Sequence, residues 1–234
     1  MSNAIRIVHL RRFYEILTDL ESKLGGMRQL AQCSGHSTWP QRGIYFFFEK
    51  GEMRSCSGAG LRVVRVGTHA ISQGACTTLW NRLAQHKGTN KLSGNHRGSV
   101  FRKLVGQALA ARDPNIAVST WGKGSSAQRN IREEEQSLET AVSRYIGEMP
   151  LLWLALEDPA SPQSRRAYIE RNTIALLSNA LTVPGESPDP PSTEWLGLGC
   201  PHPDVTRSSL WNSDHVAEQY EPQFLDELEQ LVAE

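Results

Sequence analysis

The chain has 234 residues, 39% hydrophobic and 21% charged, a composition suited to one globular domain or to a compact domain with an appended segment. Lys plus Arg and Asp plus Glu number 25 each, so the net charge is zero and the average points to no class of partner. The longest purely apolar run, residues 151–156, is far below the roughly 20 residues of a bilayer span, and four cysteines (Cys33, Cys56, Cys76, Cys200) are too few for a disulfide scaffold in a chain this long. The first 25 residues lack a continuous apolar stretch of the secretory kind. Free thiols fit a reducing compartment, so the expected location is cytoplasmic, with no membrane partner.

Leu10, Phe13, Leu17, Leu20 and Leu24 recur at helical spacing, and Gly25-Gly26 stands where a helix C-cap belongs. The aromatic run 44–48 between Gly43 and Gly51 reads as a buried strand, and 61–66 between Gly60 and Gly67 as a second, the two forming an antiparallel hairpin with a long connection. Thr77 or Thr78 N-caps a helix over 79–87 that Gly88 closes. Ser99 starts another, with Val100, Leu104, Val105, Ala108 and Leu109 as its apolar stripe, ending before Pro114. Residues 113–130 read as loop. A helix over 133–145 carries its acids in the first turn, where the helix dipole favours them. The aperiodic apolar run 149–156 reads as a third, interior strand, followed by a long helix over 164–181. The Pro-rich stretch 184–191 cannot continue that helix and marks a linker or wrapping segment, after which Leu210, Trp211, Val216, Tyr220, Phe224, Leu225, Leu228 and Leu231 supply apolar surface for short docked helices.

Charge is distributed unevenly along this order. Between Glu52 and Asp113 lie 60 residues without an acid and with ten bases, whereas from Glu186 onward eleven acids face the single base Arg207. Such a stretch can hold a polyanion on a neutral protein. The same pattern also fits a solvated face neutralised by the acidic C-terminal segment.

Helix, strand, strand, helix, insertion, strand, helix is only an α+β outline until particular residues are added. Gly43-Ile44-Tyr45 opens the first strand, Arg65-Val66-Gly67 closes the second, Arg82 and His86 stand four apart on the next helix, and Glu170 lies on the helix after the third strand. This combination resembles the GIY-YIG nuclease family, and the runs 64–70 and 79–86 are closer to its restriction-endonuclease branch than to its repair branch. The resemblance covers about residues 41–88 and 149–180. It implies a small three-stranded sheet flanked by helices, a helical insertion at about 89–148, a core over 41–182 preceded by a helix and loop over 1–40, and an acidic C-terminal helical extension over 183–234 packed on that core. The implied activity is metal-dependent DNA endonuclease chemistry, a phosphodiester hydrolysis.

The resemblance assigns Glu170 as the ligand of one divalent cation, Mg or Mn. A single carboxylate completed by water and phosphate is a shell magnesium tolerates. Arg82 would clamp phosphate with its planar donor fork. His86, on the same helix face, would reach that phosphate and donate a hydrogen bond or shuttle a proton. Tyr45 would take the proton of the attacking water, which requires a neighbouring cation to favour phenolate. Arg65 stands where the second motif normally has tyrosine; it cannot be a base but can bind phosphate. The family tends to carry an asparagine after the metal-binding glutamate. Asn172 and Asn179 lie about 200° and 180° from Glu170 around a regular helix, so Asn179 serves only if the helix ends before it and the chain turns back. Lys87, Lys91, Arg97, Arg102 and Lys103 in the acid-free stretch are the expected DNA-backbone contacts, with His96 beside them.

Each residue alone has a plainer reading: Tyr45 as a packed strand tyrosine, Arg82 with His86 as a solvated helix face, Glu170 as one end of a surface pair with a neighbouring arginine. Cys33-x2-His36 with Cys200-x-His202 is a rival signal for structural zinc, poorly spaced in its second half. A fold that has kept nucleic-acid binding and lost cleavage, with Arg65 as the sign, is the alternative to an active enzyme. A homodimer paired across a palindrome is left open.

Overall fold

The computed structural model describes residues 3–183 and 185–234. Helix α1 (Asn3–Leu24) leads into a two-residue strand β1 (Arg28–Gln29) and the hairpin β2 (Gly43–Met53) and β3 (Leu61–Gly67). Four helices follow: α2 (Leu79–Lys87), α3 (Val100–Arg112), α4 (Arg129–Glu134) and α5 (Gln136–Gly147). Strand β4 (Pro150–Ala155) precedes α6 (Arg165–Leu177), and the C-terminal segment carries α7 (Pro203–Ser208) and α8 (Phe224–Ala233). Among the described residues no helix is long and apolar enough to cross a membrane.

The strands form one antiparallel sheet in the order β1-β4-β2-β3. Four strands replace the expected three, because Arg28 and Gln29 pair with Leu151 and Pro150 at the β4 edge. Two exposed polar residues in a loop have no periodicity to betray a strand. Strand β2 is buried on both faces, which explains its unbroken aromatic run. Ile44, Phe46 and Phe48 join a core with α1, α6 and α8, while Tyr45 and Phe47 join a second core with α2, α3, α5, Trp195 and Trp211. Residues 89–148 thus supply much of the layer covering one face of the sheet.

Helix boundaries follow local chemistry. Thr78, rather than Thr77, caps α2 by accepting from the Asn81 N–H at 3.1 Å. Phe101 is buried in the first turn of α3 while the expected Val100 is exposed. The single helix expected over 133–145 is two, joined at Glu135. Helix α6 stops four residues early because the chain is captured from outside: the Ser178 hydroxyl donates to the Val216 carbonyl at 2.6 Å and the Asn179 N–H to the Ser208 carbonyl at 2.9 Å.

The C-terminal segment closes the free edge of β3. The Trp211 N–H donates to the Val64 carbonyl at 2.7 Å, and the Asn212 side chain accepts from the Val66 N–H at 3.1 Å and donates to its carbonyl at 2.9 Å. Of the Pro-rich stretch, Pro184 lies outside the described residues. Farther on, the Asp189 carboxylate accepts from the N–H groups of Ser55, Cys56 and Ser57 and so ties the segment to the β2–β3 connection.

Trp211 is fully buried in the second core and holds the edge of β3. Trp211→Ala therefore lowers unfolding free energy by about 3–5 kcal/mol, read as a lower urea midpoint.

Candidate functional site

Tyr45 occupies the middle of the sheet, opposite Gly67 on β3 and Trp153 on β4. A Cβ on residue 67 would lie 2.2 Å from the Tyr45 hydroxyl, so the ring can cross this backbone only where no side chain exists. A Cβ at Gly43 would meet the Leu154 carbonyl oxygen at 2.4 Å. Both motif glycines are thus required by close approach, not by backbone conformation. Tyr45 lines a cleft of about 170 Å³ together with Arg65, Arg82, Glu170, Asn212 and His215.

Behind Tyr45 runs a line of buried hydrogen bonds. The Tyr45 hydroxyl is 2.8 Å from His86 Nε2, and His86 Nδ1 is 2.8 Å from the Ser99 hydroxyl. The Ser99 hydroxyl also accepts from the Arg102 N–H as the α3 N-cap, which ties this line to the start of α3. Burial, with Arg82, Arg65 and Arg102 nearby, pushes the His86 pKa well below its usual value and keeps the ring neutral. The expectation that His86 reaches phosphate beside Arg82 is replaced by this inner position: the ring is 0% exposed.

Arg65 is buried, donates to the Trp211 carbonyl and lies 4.8 Å from the centre of the Phe101 ring. Burial lowers its pKa. Arg82, half-buried on α2, donates to the Gln85 side chain at 3.1 Å. The Nε of each guanidinium is buried and has no partner. Two guanidinium groups on one cleft thus each keep a donor without a protein partner, and a phosphate fits the guanidinium fork.

Glu170 faces these arginines from α6. Its Oε1 accepts from the Thr68 N–H at 2.9 Å, and burial raises its pKa against the opposing pull of that hydrogen bond, Arg65, His215 and Arg82. Among the described residues no group of three or more His, Cys, Asp or Glu side chains could hold a metal ion. A cation held at Glu170 would therefore rely on water and phosphate for most of its shell, with Asp214 and His215 also lining the cleft, an arrangement magnesium tolerates. Cys33 and Cys200 turn their thiols to the carbonyls of Gln29 and Leu104 and are not gathered with His36 and His202.

Asn179 lies beyond the end of α6, as its role would require, but turns away from the cleft. It accepts from Arg6 and is 3.3 Å from the Ser209 hydroxyl. Asn172 bonds the Tyr168 carbonyl and the Glu221 N–H. The asparagine on the cleft is Asn212, beside His215, whose Nδ1 is 2.7 Å from Glu218. His215 has φ +62°, uncommon outside glycine. Neither residue carries a sequence signal, since both are more than forty positions from Glu170 and belong to no motif.

The acid-free stretch is not uniformly a basic surface. Arg62, Arg97 and Arg102 are inside the protein, paired with Glu52, Glu135 and Glu139, and His96 also bonds Glu139. Lys87 donates to the Cys33 carbonyl at 2.6 Å. Of the five expected DNA contacts, Lys91 is exposed and Lys87 and Lys103 are partly so, while the side chains of Arg97 and Arg102 are buried in their ion pairs.

Comparison with protein-family models matches residues 4–234 to the GIY-YIG domain. No curated protein and no solved structure matches the chain. The match takes in both ends, beyond the 41–88 and 149–180 of the motif resemblance, in keeping with the C-terminal residues that line the cleft.

The raised Glu170 pKa has a consequence for stability. A carboxylate whose folded pKa exceeds its unfolded value weakens the fold as pH rises through the unfolded pKa, and has no such effect where both forms are protonated. Glu170→Gln, which keeps an acceptor for Thr68, is therefore more stable than wild type at pH 7 in metal-free buffer. The gap in melting temperature closes below about pH 4.

Proposed function

Because the chain belongs to the GIY-YIG domain family, whose chemistry is that of nucleases, we propose that it is a DNA endonuclease hydrolysing phosphodiester bonds with a divalent cation, Mg or Mn, at Glu170. The observation that carries this reading is the convergence of Tyr45, Arg65, Arg82 and Glu170 on one cleft, with two arginine Nε–H groups still without a partner.

Arg82 binds the scissile phosphate, and Arg65 adds a second guanidinium where the family motif has tyrosine. Both become more valuable as negative charge grows on the phosphoryl oxygens. Arg65 is held by the Trp211 carbonyl and the Phe101 ring, so it is oriented before substrate arrives. Tyr45 takes the proton of the attacking water. His86 is a positioning residue: its ring lies between the Tyr45 and Ser99 hydroxyls, 2.8 Å from each, and holds the Tyr45 oxygen at the cleft. A divalent cation bound at Glu170 supplies Lewis-acid neutralisation of the phosphoryl oxygens. Pairing of two chains across a palindrome, as in the restriction branch, belongs to the same proposal and rests on the runs 64–70 and 79–86.

Supercoiled plasmid incubated with and without magnesium tests the activity. Nicking that requires the ion supports the enzyme; binding without nicking, with magnesium or manganese, supports the catalytically impaired module marked by Arg65. Glu170→Ala abolishes nicking and leaves DNA binding in metal-free buffer near wild type, since loss of an acid cannot weaken phosphate attraction. Arg82→Ala weakens both, with cleavage down about 10²–10³-fold. Tyr45→Phe keeps the packing and lowers turnover by about 10²–10⁴-fold.

The exposed bases govern salt dependence. Each phosphate neutralised contributes a slope of about −0.9 in log affinity against log salt. Replacing Lys91 and Lys103 by alanine flattens the slope measured by fluorescence anisotropy, and an unchanged slope places the DNA surface elsewhere.

A further inference from the structure

Beside the cleft of Glu170 lies a second, of about 330 Å³, between the end of β3 and the start of α2. The two share Thr68, Ile71 and Arg82, so Arg82 stands at their junction. Nothing in the hydrolytic scheme uses this second space. Ile71 and Ala75 give it an apolar wall, Ser72, Thr77 and Gln85 a polar one, and His69 is buried at its base with Thr68 and Ala70.

The state of His69 follows from its partners. Its Nε2 lies 3.2 Å from the Gln41 carbonyl oxygen, which can only accept, so the proton is on Nε2. Burial, with Arg166, Arg42 and Arg82 nearby, pushes the pKa down to about 4, and the ring is neutral. Nδ1 is then a lone-pair acceptor, buried and without a partner. The His69 carbonyl is held by Arg166, which fixes the residue from its other side. An apolar wall for a ring, an unanswered acceptor, and next to them an arginine with an unanswered donor together match one nucleotide: base on one side, phosphate on the other.

Resting on the nuclease reading, we propose that this second cleft seats the base flanking the scissile phosphate, His69 Nδ1 accepting a hydrogen bond from its exocyclic amino group while Arg82 holds the phosphate. Within a DNA strand deoxyribose offers no hydroxyl, so the donors open to Nδ1 are those of the bases. A site built to accept such a bond discriminates against the base that lacks the donor.

The test maps a cleavage site and replaces each amino-bearing base beside the cut bond, in turn, by its analogue without the exocyclic amino group. Wild-type kcat/KM falls about tenfold or more at one of these positions. In metal-free buffer the Kd for the same duplex, from fluorescence anisotropy, weakens in the same direction. His69→Leu, checked for folding by its unfolding midpoint, loses the discrimination, and His69→Asn, which places a carboxamide oxygen near the Nδ1 position, retains part of it. Equal kcat/KM and Kd for all analogues with wild-type protein overturn the proposal. So does a gain from a ribose hydroxyl at that nucleotide without a response to the amino group. A wild-type protein that cuts nothing overturns the nuclease reading instead. The subsite is then decided by binding alone, with the analogue placed at each position of a bound duplex: discrimination there upholds it and indifference overturns it.

Discussion

A tyrosine hydroxyl has to be presented to a cleft from the centre of a sheet whose ring positions are wholly buried, and the bare backbone of Gly67 is what permits it. With any side chain there, the Tyr45 ring would be displaced. Its hydroxyl would then lose His86, His86 would leave Ser99, and the N-cap of α3 would lose its second partner. One missing Cβ thus couples β2 and β3 to α2 and α3. The coupling runs through buried hydrogen bonds, which stabilise when complete and are costly when one member is left unpaired.

The second dependency is the edge of β3. An open edge beside the cleft would expose unpaired N–H and C=O groups. Trp211 and Asn212 occupy it, and the same short segment holds Arg65 through the Trp211 carbonyl and brings His215 to the rim. The acidic C-terminal region is in this sense part of the site as well as part of the core. Its capture of Ser178 and Asn179 also ends α6 and so fixes the length of the helix that carries Glu170.

Charge is organised by burial more than by sequence position. The arginines of the acid-free stretch that go inside find carboxylates contributed from either side of it, Glu52, Glu135 and Glu139. Such pairs contribute little net stability but are damaging to break, because the remaining charge stays buried. What faces the cleft is a smaller set, Arg65 and Arg82 with Glu170, Asp214 and His215, and there the balance is incomplete: two arginine donors lack partners and the Glu170 carboxylate is held above its usual pKa. An anion and a cation bound together would relieve both, which is the electrostatic content of a phosphodiester with its metal.

The sequence by itself determined the local features. Gly25-Gly26 ended α1, a threonine at 77 or 78 and Ser99 capped helices, Gly43 and Gly67 bounded the hairpin, and the aromatic run declared a buried strand. Tyr45, Arg65, Arg82 and Glu170 could be picked out because they fall, in order, on the motif positions of the family that the sequence resembles. Only the tertiary structure decided that His86 stands behind Tyr45 and not beside Arg82, that Asn212 and not Asn179 lines the cleft, and that Arg102 lies in the core. It also supplied the fourth strand. These are relations between segments from 37 to more than 140 residues apart, set by which side chains fill the space between layers, and no periodicity within one segment encodes them.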